Sequence, residues 1–314
     1  MTQTKWIIIT LSLALLALPA AAYDDDDYEA PEDDSKVEFT MGYQGSSVDD
    51  ELFRVAEYEV ADPTPILGLY WSSSPYTPNT LSFGLDRLDS DHMSGFASFD
   101  LDRKIQVDWT MDSLLHRLDH DPLSNLQAVS GIKSTRSTDL EPGADYQIRH
   151  RIYTVDADIL HPNVPGLSFR VGFREQQREG TKQMLNTSHC SSCHTVGQGR
   201  EIDSSTTEYS VGMHLARGRV DFDYQLLGRQ YQEYGATPTM GFEVAYRPAG
   251  GGPTGQPFQA LLLPFNDRVW YQDTTLPYNQ VPDVQRTEHR LKIRAGLKEA
   301  DSINFTLVQS STEN

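Results

Sequence analysis

Cysteine is nearly absent from this chain. There are two in 314 residues, both inside Cys190–His194, which excludes a disulfide-stapled scaffold. Basic side chains are few as well: 26 Lys and Arg against 45 Asp and Glu leave a formal charge of −19. A polyphosphate ligand needs the opposite sign, so nucleic acid is excluded as a partner. Long apolar runs are missing beyond the N-terminus, where nothing approaches the ~20 residues of a spanning helix. Any contact with a membrane must then be made by strands or at its surface. The chain has no Walker loop, no G-x-G-x-x-G and no H-E-x-x-H, which removes the common nucleotide and zinc-protease chemistries. No catalytic triad or carboxylate dyad stands out either, so the expectation is a non-enzymatic protein.

Residues 1–22 read as a secretory signal: Lys5 supplies the charge, Trp6 to Leu18 the apolar run, and Pro19 to Ala22 the small-residue cleavage site. Residues 23–36 form an acidic segment with Asp24 to Asp27, Glu29, Glu32, Asp33 and Asp34. Such charge density keeps a chain solvated and extended.

Residues 37–314 have a period of two. Leu167, Phe169, Val171 and Phe173 alternate with Ser168, Arg170, Gly172 and Arg174, and Tyr209, Val211, Met213 and Leu215 do the same. Val220, Phe222, Tyr224 and Leu226 follow the Arg217-Gly218 turn, and Leu291, Ile293 and Ala295 come later. Val37 to Tyr43, Leu81 to Leu85 and Ile105 to Met111 extend the pattern. Strict alternation is the strand signature, and about a dozen strands are expected by it. The expected fold is therefore all-β and antiparallel. The runs 167–177, 206–216 and 219–230 exceed soluble strands of ~5–6 residues and match the ~9–11 of a tilted strand crossing a bilayer. Expected connections are short at 161–166, 217–218 and 298–301 and long at 178–205 and 264–285, the layout of an outer-membrane barrel. A soluble sandwich with one solvated face shares the alternation. The chain ends Gln309 to Asn314 without the terminal aromatic common in closed barrels. Either the barrel is incomplete at this C-terminus or its sheet closes differently.

Cys190-Ser191-Ser192-Cys193-His194 is a C-x-x-C-H haem-attachment motif. Thiols three positions apart reach the two vinyl groups on one edge of a haem, and the adjoining imidazole reaches the iron. Cys190 and Cys193 are thus assigned the thioethers of one haem c, and His194 the proximal iron position. Export fits, because the signal sends the chain out of the cytoplasm. A redox-active C-x-x-C disulfide would sit in a βαβ unit, which is not visible, and structural zinc wants four ligands. For the distal iron position Met240 is the candidate, with Met184 and His189 nearer in sequence. His116, His120, His161 and His214 are read as structural or solvent-facing. The motif falls in the expected 178–205 loop between two strands.

Three stretches carry a resemblance: His116 to Leu126, Asp156 to Arg174, and Cys190–His194. Over roughly residues 80–309 the chain resembles the C-x-x-C-H-containing (seleno)protein family of porin–cytochrome loci. That family is itself similar to the outer-membrane barrels that sheath decahaem cytochromes. The resemblance implies an outer-membrane barrel that passes electrons with multihaem c-type cytochromes, in contact with outer-membrane lipid. The alternatives are a soluble periplasmic monohaem carrier and a structural envelope β-protein whose cysteines form a disulfide.

Overall fold

A computed structural model describes residues 35–44, 64–74, 77–88, 91–124, 128–130, 133–188, 194–242, 274–297 and 301–314. Among them there is no helix. Eleven strands form an antiparallel meander: β1 (Lys36–Gln44), β2 (Thr64–Ser72), β3 (Asn79–Leu88), β4 (His92–Leu101), β5 (Ile105–Arg117), β8 (Gln147–Leu160), β9 (Leu167–Ser188), β10 (His194–Arg217), β11 (Val220–Glu233), β14 (Val284–Gly296) and β15 (Ser302–Glu313). Two short strands, β6 (Ala128–Ser130) and β7 (Lys133–Asp139), complete a thirteen-stranded sheet, with β7 parallel to the outer edge of β10. A separate hairpin joins β12 (Thr239–Phe242) to β13 (Thr274–Pro277). The fold is all-β, as the period of two requires. Among the described residues β1 and β15 do not pair with each other, so the sheet is not closed.

The connections 73–78, 102–104, 161–166, 218–219 and 297–301 share one end of the sheet, where backbone bonds stitch neighbouring ones together. Asp102 N–H donates to Pro78 O at 2.9 Å, Leu160 N–H to Lys104 O at 2.7 Å, Ala216 N–H to Gly166 O at 2.8 Å and Gly296 N–H to Arg219 O at 2.8 Å. Gly166 and Gly218 provide the left-handed backbone these turns need, with φ of 81° and 64°. The longer connections, 45–63, 118–146 and 234–283, leave from the opposite end.

The registers divide the sheet into two chemically distinct faces. One bears Val37, Phe39, Met41 and Tyr43 on β1, Leu67, Leu69 and Trp71 on β2, and Val107, Trp109 and Met111 on β5. It continues through Val155 and Ala157, then Val171 and Phe173, then Val211 and Met213, and ends at Phe305 and Leu307. The other face carries Asp108, Asp156, Asp158, Arg170, Arg174, Glu208, Asp223, Arg290 and Lys292. Side chains of opposite sign pair across its strands, Arg170 with Asp158 at 3.2 Å and Glu208 with Arg229 at 3.3 Å.

The apolar face is a diagonal belt. The row of paired residues through Phe39 runs by Leu69, Leu85, Gly95, Met111, Tyr153, Glu175, Thr207, Gln230 and Gln285 to Glu313. It leaves the apolar residues midway, because the apolar run of β15 centres on Phe305. The offset is about eight residues, roughly 26 Å at ~3.3 Å per residue, across spacings totalling about 48 Å. A belt level in space therefore requires strands tilted by about 30°, near the ~35–45° of membrane barrels. Buried hydrophobic residues lie elsewhere: Leu123, Tyr146, Ile148, Val196 and Ile202 cluster at the long-connection end, and none belongs to the belt.

One expectation is corrected. Residues 178–205 are not a loop, because β9 and β10 pair continuously from Leu167↔Leu215 to Ser188↔His194. Only 189–193 lie between the strands. The pairing of β8 with β9 stops at Thr181 and that of β10 with β11 at Ser204. The hairpin therefore overhangs its neighbours by roughly 23 Å at ~3.3 Å per residue. Gln183 and Thr195 are polar on what would be the apolar face, so the overhang shows no alternation although it is fully paired.

Candidate functional site

The overhanging hairpin carries the C-x-x-C-H motif at its tip. Cys190 and Cys193 lie outside the described residues, as do His189, the signal segment 1–22 and most of the acidic segment. The backbone of His194 opens β10, paired with Ser188. Met240 is in β12, which the Gln198 side chain holds by donating to Thr239 O at 2.7 Å. Gln198 is in turn paired with Met184. The fold thus brings two of the three sulfur or imidazole candidates for the distal iron position, Met184 and Met240, to one level of the hairpin, four residues below His194.

Two different segments hold the overhang. On one side lies residues 118–146, here called the clasp. Gln183 exchanges two hydrogen bonds with the backbone of Asp121, at 2.9 and 2.8 Å. Leu123 is fully buried against Gly197 and Leu185, where a Cβ on Gly197 would stand 3.4 Å from both leucines. Leu140 N–H donates to Gly197 O at 2.9 Å, and Gly199 N–H donates to Glu141 Oε2 at 3.0 Å. Within the clasp His120 is gripped from both ring nitrogens, by Ala144 O at 3.0 Å and by the Asp139 carboxylate, and Tyr146 packs edge-on against it. Burial, then the nearby Glu141 and Asp139, pushes the Tyr146 hydroxyl pKa above its ordinary value. Farther along the same edge of β10, Tyr234 and Gly235 N–H donate to Asp203 O, and Ala236 N–H to Glu201 Oε2.

The remaining histidines sit away from the tip. His116 packs against His150 with ring centroids 4.6 Å apart. His161 accepts from Asn163 N–H within its turn at 3.2 Å. His214 faces Asp223 at 3.8 Å on the charged face. Among the described residues no group of three His, Cys, Asp or Glu could hold a metal ion.

Alternation of the hairpin puts Lys182, Met184 and Asn186 of β9 on the same face as Val196, Gln198, Arg200 and Ile202 of β10. Lys182 stands directly opposite Arg200. That face has no acid, in a chain of net charge −19, and these donors lacked any sequence motif to mark them. The run Gly180 to Ser188 is the longest acid-free polar stretch beside the motif, and that was the available signal. Compared with known proteins, the chain matches no protein-family profile, and no curated protein is significantly similar to it.

Proposed function

We propose that this chain is the barrel component of an outer-membrane electron-transfer conduit, with one haem c attached at the tip of the β9–β10 hairpin. The observation that carries the membrane part is the diagonal belt. It crosses eleven strands, its side chains are exposed or half-buried, and the buried hydrophobic residues lie outside it. A sandwich would bury that face against a second sheet. Here the belt is about 20 Å tall at a ~30° tilt, and lipid is the solvent that such a surface suits. The opposite, charged face suits a hydrated lumen.

The residues at the tip fit a covalently held haem. Cys190 and Cys193 would hold it through thioethers, and His194 and Met240 would supply its iron ligands, beside a hairpin face rich in donors. Bound haem supplies one-electron redox chemistry, and a methionine ligand raises its potential. The chain's own contribution is to carry that group on a braced stalk, beyond the belt, where a multihaem c-type cytochrome can approach it. The chain turns over no substrate in this account.

Fractionation tests the membrane part. The account expects the protein in outer membranes after a carbonate wash, with a mobility on unheated denaturing gels that changes on boiling. Recovery in the soluble periplasmic fraction would instead favour a soluble carrier.

A further inference from the structure

The overhang contains two orphaned donors. Asn186 Nδ2 and Arg200 Nε are buried and have no hydrogen-bond partner among the described residues. Leaving such groups unsatisfied is costly, more so when charged, so each calls for an acceptor. Both belong to the face that includes Lys182, Met184 and Gln198. Lys182 and Arg200 are directly paired like charges, an arrangement that destabilises a sheet unless something offsets it. Neither has an ion-pair partner among the described residues, although acids outnumber bases 45 to 26 in the chain. Several other arginines of the sheet do find carboxylates: Arg170 pairs with Asp158, Arg229 with Glu208, and Arg286 and Arg290 with Glu288.

We infer that Lys182, Asn186 and Arg200 form an anion-binding face whose ligand is the pair of propionate carboxylates of the haem carried at the hairpin tip. The inference rests on the haem assignment above. The His194 backbone occupies the same alternating register as Val196, Gln198 and Arg200, at the motif's end of the strand that carries Arg200. β12 is tied to that side by the hydrogen bond from Gln198 to Thr239 O. A haem brings two carboxylates, and the face brings two cations and an amide without any acid to compete. Guanidinium and carboxylate make short charge-assisted bonds, and the Asn186 amide supplies a neutral donor nearer the tip.

The partition of charge gives the sign of the effect. A cation beside a propionate offsets negative charge close to the iron and favours the reduced state, so its removal lowers the midpoint potential. The test is a spectroelectrochemical titration of the full-length protein matured with c-type haem. Wild type is compared with Arg200→Gln, Arg200→Lys, Asn186→Ala and a distant control, Lys104→Gln in the β4–β5 turn. Covalent haem is measured on each by stain after denaturation. The expected result is undiminished covalent haem in all, a lowered midpoint in Arg200→Gln, recovery in Arg200→Lys, a smaller fall in Asn186→Ala and no change in Lys104→Gln. Equal midpoints for wild type, Arg200→Gln and Asn186→Ala, with haem present in each, would overturn the anion-binding face and leave the haem assignment standing. A wild-type protein that takes no covalent haem would overturn both.

Discussion

A single arginine in the middle of the belt separates a lipid-facing surface from a water-facing one. Val211 is 49% exposed and sits between Val171 and Leu226 on the apolar face, near the centre of the β10 run. On a soluble protein, Val211→Arg at so open a position costs within about 0.5 kcal/mol, since the guanidinium stays in water. At the midplane of a bilayer the same change costs about 2–4 kcal/mol. At ~1.4 kcal/mol per tenfold, that is a loss of roughly 30- to 1000-fold in the folding equilibrium. The companion variant is Gln106→Arg, exposed at a similar level of β5 but on the charged face, paired with Asp100 and Asp158. There a new cation meets two acids and costs little. Urea unfolding from lipid vesicles, followed by tryptophan fluorescence, compares the two. Val211→Arg should be the less stable by at least 2 kcal/mol, at about the lower bound for the midplane. Equal stability would refute the assignment of that face to lipid.

Other expectations follow from particular contacts. A Cβ on Gly228 would stand 2.0 Å from the Tyr209 ring, so Gly228→Val should lower stability by about 1–3 kcal/mol through overpacking, with part regained in the Tyr209→Ala double variant, both read by urea midpoint. Glu288 is 8% exposed between Arg286 and Arg290. Glu288→Gln leaves two half-exposed guanidinium groups without their carboxylate, an expected loss of about 1–2 kcal/mol by the same measurement, discounted for that exposure. Leu123→Ala empties a fully buried site in the clasp, at a cost of about 2–4 kcal/mol; limited proteolysis should then cut 118–146 early while the belt strands stay intact. Tyr146 is held neutral more strongly in the folded state than in the unfolded one. Its contribution is present below its unfolded pKa and is lost as pH rises beyond about 10. Clasp proteolysis should therefore quicken above that pH in the wild type, and less so in Tyr146→Phe.

The belt strands were legible because each presents water and something apolar on opposite sides, which writes alternation directly into Leu167 to Phe173 and Tyr209 to Leu215. The short turns were legible for a related reason, since Gly166 and Gly218 take backbone angles that other residues avoid. The overhang was not. Gln183 faces a backbone in the clasp, Gly197 and Gly199 admit Leu123 and Glu141, and Gln198 grips β12. Those partners come from residues about 40 to 80 positions away, so their demands leave no local period. His120 reads from the sequence as structural or solvent-facing, and its companions Asp139, Ala144 and Tyr146 are joined to it only by the path of the clasp. The motif itself was plain at the sequence level, whereas its position on a paired stalk depended on long-range pairing.

The most direct test of the central claim is a haem-stained denaturing gel of the full chain, expressed with c-type maturation machinery, beside a Cys190→Ala, Cys193→Ala variant. The account predicts a stain that survives denaturation in the wild type and vanishes in the variant. An unstained wild type, alongside a control cytochrome that matures normally, would contradict it and leave a β-structured envelope protein with a cysteine pair.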